Sequence, residues 1–379
     1  MRSLISVVAA VTALLAGCSH TPGAPSLVGT VPFRVDGLTF VDVTINGVKA
    51  TLVLDTGAPG IMLDPGIAAT AGLRTGEGRA DSIRMGDVLL RDVAVRVRAF
   101  GALNDSTSGG PPILGVIGTS FLGRYVARFD FAAGQLTLFD PASFRYEGPG
   151  AILPIRFKQE KPLVTAMIER DGAPPVEARL FIDAGTESAP ITLTPVFART
   201  AGIGTDGTRF VEIAGGRGLH GTGMDRITRV PVVTVGALRL AQPLVTVSAA
   251  AGAALQHLDA DGTIGMGVLS RTTMILDYSR SRVILEPSTS FAAPFTFANV
   301  SGLQLQRRGR ALLVRHVIRG SAADSAGIRV DDEIAAIDDE PPPSTPVLAP
   351  LRDAGTTHRL TLRRAGETRT VTVLLRELI

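Results

Sequence analysis

The feature that most restricts the fold of this 379-residue chain is an internal repeat. The first copy runs from the strand-like Thr51 to Leu54 into Asp55-Thr56-Gly57. It continues through the Gly-led alternating strands Gly86 to Leu90 and Val95 to Val97, then Gly115-Val116-Ile117-Gly118. It closes with Phe129-Asp130-Phe131 and Leu136-Thr137-Leu138. The second copy keeps the order: Leu180 to Ile182, Asp183-Ala184-Gly185, Gly236 to Leu240, Val245 to Val247, Gly262-Thr263-Ile264-Gly265, Leu276-Asp277-Tyr278 and Val283 to Leu285. Two copies with an Asp at the same point imply two similar units that share one site.

The repeat reads as β structure. Val93 to Val97 and Arg282 to Leu285 are short, alternating and β-branched. The 42 Gly and 24 Pro fit many short strands and turns better than long helices. Phe131 to Gly134 and Tyr278 to Ser281 have the composition of hairpin loops, which makes Asp130 and Asp277 turn or surface residues. Short helices are expected at Pro65 to Ala71 and Pro195 to Ala201, stopped by Gly72 and Gly202. This places lobe 1 at 28–147 and lobe 2 at 148–289, with a linker and a further domain over 290–379. In that last part, Leu312 to Val314 and Val317-Ile318 are strand-like, and Ser321 to Gly327 is a capped helix.

Residues 1–17 read as a targeting segment: Arg2 supplies charge and Leu4 to Leu15 an apolar run too short to span a bilayer by preference. It ends in Leu15-Ala16-Gly17-Cys18, with the chain's single cysteine. This resembles the lipobox of bacterial lipoproteins, which implies lipidation of Cys18, a tether over 18–27 and a place in the cell envelope. Ser19 after the Cys favours the outer membrane of a Gram-negative cell. One cysteine allows no intramolecular disulfide. A net charge of +3 with scattered basic residues gives no stripe for nucleic acid.

Leu54-Asp55-Thr56-Gly57 with Ile113-Leu114-Gly115, and Ile182-Asp183-Ala184-Gly185 with Thr263-Ile264-Gly265, resemble the retropepsin-type aspartic protease domain, here in tandem. Whether Gly115 or Gly118 ends the lobe 1 apolar-Gly element is open at this level. The resemblance implies a mostly β chain of two pseudo-symmetric acid-protease barrels. It implies a catalytic pair, Asp55 and Asp183, that cleaves peptide or protein substrate as a monomeric pseudo-dimer without metal or other cofactor. Two carboxylates a few ångströms apart share a proton and split their apparent pKa values. The ionised one activates water and the protonated one holds the substrate carbonyl. Support is expected from Thr56, Gly57, Gly185 and Thr186. Ala184 lacks the hydroxyl of Thr56, and Ala58 that of Thr186.

Ala214 to Gly221 is Gly-rich and is a candidate flap, with Gly218 and His220 near substrate and Arg74 to Arg84 as the lobe 1 counterpart; a plain solvent loop is the other reading. The C-terminal run Gly-Ser-Ala-Ala…Ala-Gly-Ile…Asp-Glu-Ile resembles an α+β bacterial PDZ domain, with Gly302-Leu303-Gln304-Leu305 as its peptide-binding loop. Such a domain would recruit or gate substrate. Asp331 and Asp339 stand where Gly is usual, and Gln304 replaces a common second Gly. The G-x-G-x-x-G runs Gly202 to Gly207 and Gly216 to Gly221 do not join a strand to a helix. Asp259 to Gly262 lacks the closing Glu of a calcium loop, and the five His have no zinc spacing. Two alternatives stay open: a non-catalytic envelope peptide binder of the same fold, and an enzyme whose dyad forms between Asp55 residues of a homodimer.

Overall fold

A computed structural model describes residues 26–101, 112–186, 189–215, 223–255, 257–308, 311–343 and 349–379. Cys18, Gly218 and His220 lie outside the described residues, as do the leader and most of the tether.

The first half is a closed six-stranded barrel. Leu38–Ile45 pairs with Val48–Leu54, which runs parallel to Gly115–Ile117. Gly115–Ile117 is antiparallel to Ile61–Leu63, which runs parallel to Val88–Val97. Val88–Val97 pairs with Glu77–Met85, and Thr44 opposite Arg84 closes the ring. The alternation seen in sequence is the reason: Val41, Val43 and Ile45, and Val88, Leu90, Val93 and Val95, turn inward, with polar or more exposed residues between them.

The second half repeats this plan. Lys161–Arg170 pairs with Ala173–Ile182, which runs parallel to Gly262–Ile264; that strand is antiparallel to Ile191–Leu193. Equivalent short helices, Pro65–Thr70 and Pro195–Ala201, start on a capping Asp64 and Thr194 with Pro at the first turn.

The halves are sewn together by main-chain hydrogen bonds. Thr272–Asp277 of the second half pairs with Val126–Asp130 of the first, with Thr273 opposite Asp130. Ala151–Pro154, Arg282–Pro287, Thr272–Asp277, Val126–Asp130, Gln135–Phe139 and Leu27–Asp36 thus form a continuous run of six strands under both halves. One apolar core reaches from Val31 through Leu54 and Ile182 to Leu285.

Asp277 is the turn residue the sequence suggested, but it does not lie at the surface. It caps the turn at Tyr278–Arg280 but is fully buried, held by Arg280 and by Arg282 at 2.9 Å. Two guanidinium groups make that burial tolerable. Arg74 to Arg84 is also not a flap: from Glu77 onward it is a barrel strand paired along its length with Val88–Val97. Lobe 2 has an extra strand at this level, Phe210–Ala214, paired with Met224–Arg229; the latter corresponds to the start of Glu77–Met85, which in lobe 1 is reached by the short stretch from Gly72.

The C-terminal part is a five-stranded antiparallel sheet in chain order, from Leu303–Arg308 to Glu367–Leu374, with its own apolar core. Ser321 caps the helix Ala322–Ser325. Asp331 and Asp339, at positions where glycine was expected, adopt φ of 68° and 69°. Asp tolerates that left-handed backbone better than most residues, so the turns survive the replacement.

Candidate active site

Each strand that ends in an Asp-x-Gly turn delivers its carboxylate at the same height, because each is fixed to its parallel neighbour. The Asp55 N–H donates to the Ile117 carbonyl and the Asp183 N–H to the Ile264 carbonyl, both at 3.0 Å. The turns then fold back on their own carboxylates: Gly57 N–H donates to Asp55 Oδ1 at 2.6 Å and Gly185 N–H to Asp183 Oδ1 at 2.9 Å. The Ala58 N–H donates to the Asp55 main-chain carbonyl at 3.3 Å, and the Thr186 N–H to that of Asp183 at 3.4 Å, closing both turns alike.

The two turns touch. A Cβ on Gly185 would lie 2.5 Å from the Asp55 carboxyl, so only glycine lets the backbone approach this closely. Thr56, fully buried, crosses the lobe boundary twice: its hydroxyl donates to the Ile182 carbonyl at 2.7 Å and accepts from the Ala184 N–H at 2.9 Å. Ala184, also fully buried, returns no such pair. One threonine therefore does on one side what the sequence reading expected of two.

The equivalence of Gly118 and Gly265 resolves the open choice in lobe 1. Each follows the strand parallel to its Asp strand and precedes a one-turn helix, Thr119–Leu122 or Met266–Leu269. Gly115 matches Gly262 instead, at the start of those strands.

Burial, and then the charge of Asp183, push Asp55 up to about 7. Asp183 is likewise raised by burial. Their own turn N–H groups, the Thr186 hydroxyl and the Lys161 ammonium pull in the other direction. The ordinary aspartate value is near 4, so both groups favour holding protons well above it. A pair in contact titrates as a unit, giving a broad range in which one proton is shared.

Three neighbours were not singled out by the sequence reading. Lys161 starts the strand after the Gln159-Glu160 turn, and its Nζ stands 5.5 Å from the centre of the Phe181 ring. Phe181 in turn packs against Gly57, where a Cβ would lie 3.0 Å from the ring. Glu160 accepts from the Thr119 hydroxyl at 3.1 Å across the lobe boundary. Tyr278 stacks on Phe157 at 5.1 Å and has a buried hydroxyl without a partner among the described residues. Burial, Asp55 and Glu160 raise its pKa far above the usual value. Superposing the repeats would have exposed Lys161, because it falls where lobe 1 has Leu38.

The candidate PDZ loop does other work. Gly302, at φ 80°, donates to Asn299 Oδ1 at 2.9 Å, and the Leu303 N–H donates to Ser301 Oγ at 3.2 Å. Leu303 and Leu305 point into the core. Gln304 reaches lobe 2, accepting from the Ala214 N–H at 2.6 Å and donating to its carbonyl at 2.8 Å. A recess of about 570 Å³ between Pro195, Met224 and Val247 includes neither Asp55 nor Asp183.

Residues 41–121 match the protein family described as aspartyl protease. The chain is similar, at 20% identity, to a retropepsin-like aspartic protease from Rickettsia conorii; the likeness covers 29% of this chain and 88% of that one, with a TM-score of 0.23. It is also similar, at 12% identity, to an aspartic proteinase from Irpex lacteus over 70% of this chain and 98% of that one, with a TM-score of 0.43. No curated protein matches it.

Proposed function

We propose that this aspartic-type peptidase hydrolyses peptide bonds with water activated between Asp55 and Asp183, within a single chain. The observation that carries this is the contact of the two Asp-x-Gly turns, with Gly185 against the Asp55 carboxyl. In the shared-proton state, one carboxylate takes a proton from water as it attacks the scissile carbonyl. The other donates a hydrogen bond to that carbonyl oxygen and then hands its proton on toward the leaving amine. The turn N–H groups keep both side chains aimed while the proton moves. The intramolecular contact speaks against a dyad of two Asp55 residues, because Asp183 already occupies the facing position.

The C-terminal sheet is read as a PDZ-like domain, on the Ser321 to Gly327 helix and the positive-φ turns at Asp331 and Asp339. With the loop N–H groups of Gly302 and Leu303 taken by Asn299 and Ser301, end-carboxylate capture is disfavoured. The outer edge of Leu303–Arg308 is left for addition of an internal peptide strand. The proposed setting is the cell envelope with Cys18 lipidated, on the strength of the leader sequence.

The test is cleavage of a mixed peptide library by a fragment from Thr21 onward. Asp55→Asn and Asp183→Asn should each lose at least 10³-fold in kcat/KM, and wild-type activity should fall as pH rises past about 7, where the shared proton leaves. A raised carboxylate favours the fold at low pH, and that contribution is lost as pH rises through the folded value. Asp55→Asn should therefore unfold at higher temperature than wild type at pH 8, with the gap closing below pH 4. Equal cleavage by all three proteins would refute the dyad.

A further inference from the structure

The two lobes present equivalent strand positions beside the dyad, so a difference between them indicates what each can receive. In lobe 1 the row beginning at Leu38 runs through Phe40, Val53, Val116 and Met62, each opposite the next across the strands from Phe40 onward. These side chains form one apolar cluster with Ala58 and Phe100. The matching row in lobe 2 is Lys161, Leu163, Phe181, Thr263 and Thr192. Lys161 replaces Leu38, and Thr263 replaces Val116.

Neither replacement is explained by packing. Lys161 is half-buried and makes no ion pair among the described residues; its ammonium rests over the Phe181 ring, on the side of the row that meets Gly57. The Thr263 hydroxyl is buried without a hydrogen-bond partner among the described residues. Native interiors rarely leave such groups unmatched, and a cation partly withdrawn from water gains more from an anion than one on the open surface does. The neighbouring acid, Glu160, is turned to Thr119 of the other lobe. Phe181, under the ammonium, packs against Gly57 of the Asp55 turn, and the ammonium lowers the pKa of both carboxyls, so its charge is felt at the dyad.

We infer that lobe 2 carries a subsite for an acidic side chain of the substrate next to the scissile bond, with Lys161 as its specificity-determining residue. Lobe 1 offers only apolar surface at the equivalent place, so the selectivity belongs to one side of the scissile bond. This rests on the peptidase reading, and its test is built to separate the two.

The substrates are extended peptides blocked at both ends and differing only as Glu, Gln or Lys at the positions flanking the cleaved bond. Wild type should favour Glu over Gln by about tenfold in kcat/KM at one flanking position, mostly through KM. Lys161→Met should bring that ratio to about one, and Lys161→Glu should turn it toward Lys. If Lys161→Met fails to fold, Lys161→Gln replaces it, and Lys161→Arg should keep the preference. Binding of the same peptides to Asp55→Asn, followed by fluorescence anisotropy, reads the ranking without hydrolysis. Glu-selective binding that needs Lys161, with no cleavage by any protein, would sink the peptidase reading and uphold the subsite. Cleavage with Glu and Gln treated alike, or a Glu preference that survives in folded Lys161→Met, would overturn the subsite. Neither binding nor cleavage would overturn both.

Discussion

Thr56 supplies both side-chain hydrogen bonds that join the two Asp-x-Gly turns among the described residues. Its hydroxyl is donor to one main-chain group of lobe 2 and acceptor from another, both buried. Thr56→Val keeps the shape and removes both bonds. It should cost about 1–3 kcal/mol in thermal unfolding and lower kcat more than it raises KM, because the substrate does not meet this residue. A loss confined to KM would contradict this. The Asp-Thr-Gly signature and its partner were legible in sequence because turn chemistry forces glycine next to a strand-end carboxylate. The consequence of Ala184 was not: sequence shows a missing hydroxyl, whereas the remaining hydroxyl spans both partners. Lys161 escaped notice because a lone lysine after a turn has the composition of any exposed hairpin, and only its register with Leu38 gives it meaning.

Among the elements, the strand-to-helix corners at Gly118 and Gly265 set the positions of the Asp turns. A Cβ on Gly118 would lie 2.0 Å from the Ala58 carbonyl, which also accepts from the Thr119 N–H. That carbonyl cannot retreat without loosening the Asp55 turn. Gly118→Ala should therefore destabilise by about 3 kcal/mol or more, seen as a lower denaturant midpoint. Peptide cleavage should fall further than the unfolded fraction explains. The order of elements could be read from the repeat, since strand alternation and turn residues recur in both copies. The choice between Gly115 and Gly118 could not, because both are close-packed glycines and only pairing partners separate them. The lobe 1 counterpart of the lobe 2 hairpin failed for a related reason. Polar, Gly-bounded residues such as Arg79 and Arg84 suit a loop and the solvent face of a barrel strand equally well.

For the whole molecule, the C-terminal sheet is fastened to lobe 2 at several points. Besides the Gln304–Ala214 pair, His316 Nε2 meets the Glu212 carbonyl at 3.1 Å, and Arg209 and Arg229 donate to the carbonyls of Leu378 and Ile379. Gln304→Ala should speed limited proteolysis in the linker that begins at residue 290 by roughly threefold to tenfold, with little shift in the main unfolding transition. Unchanged cleavage of the link would show that Gln304 is not a fastening. No part of this docking was legible beforehand: Gln304 was read as part of a peptide-binding loop that departs from the usual pattern, and its partner is a main-chain group that sequence cannot advertise.

The run of six strands beneath both halves also sets an order of events. Val126–Asp130 finds its neighbour Thr272–Asp277 roughly 150 residues further along the chain. At about 5–20 residues per second, a ribosome leaves that edge bare for on the order of ten seconds. An uncovered strand edge of alternating apolar residues is a template for its like. The vulnerable moment of this protein is therefore its synthesis. Yield in a foreign host should be governed by translation speed and by the holdases available while the second half is still to come.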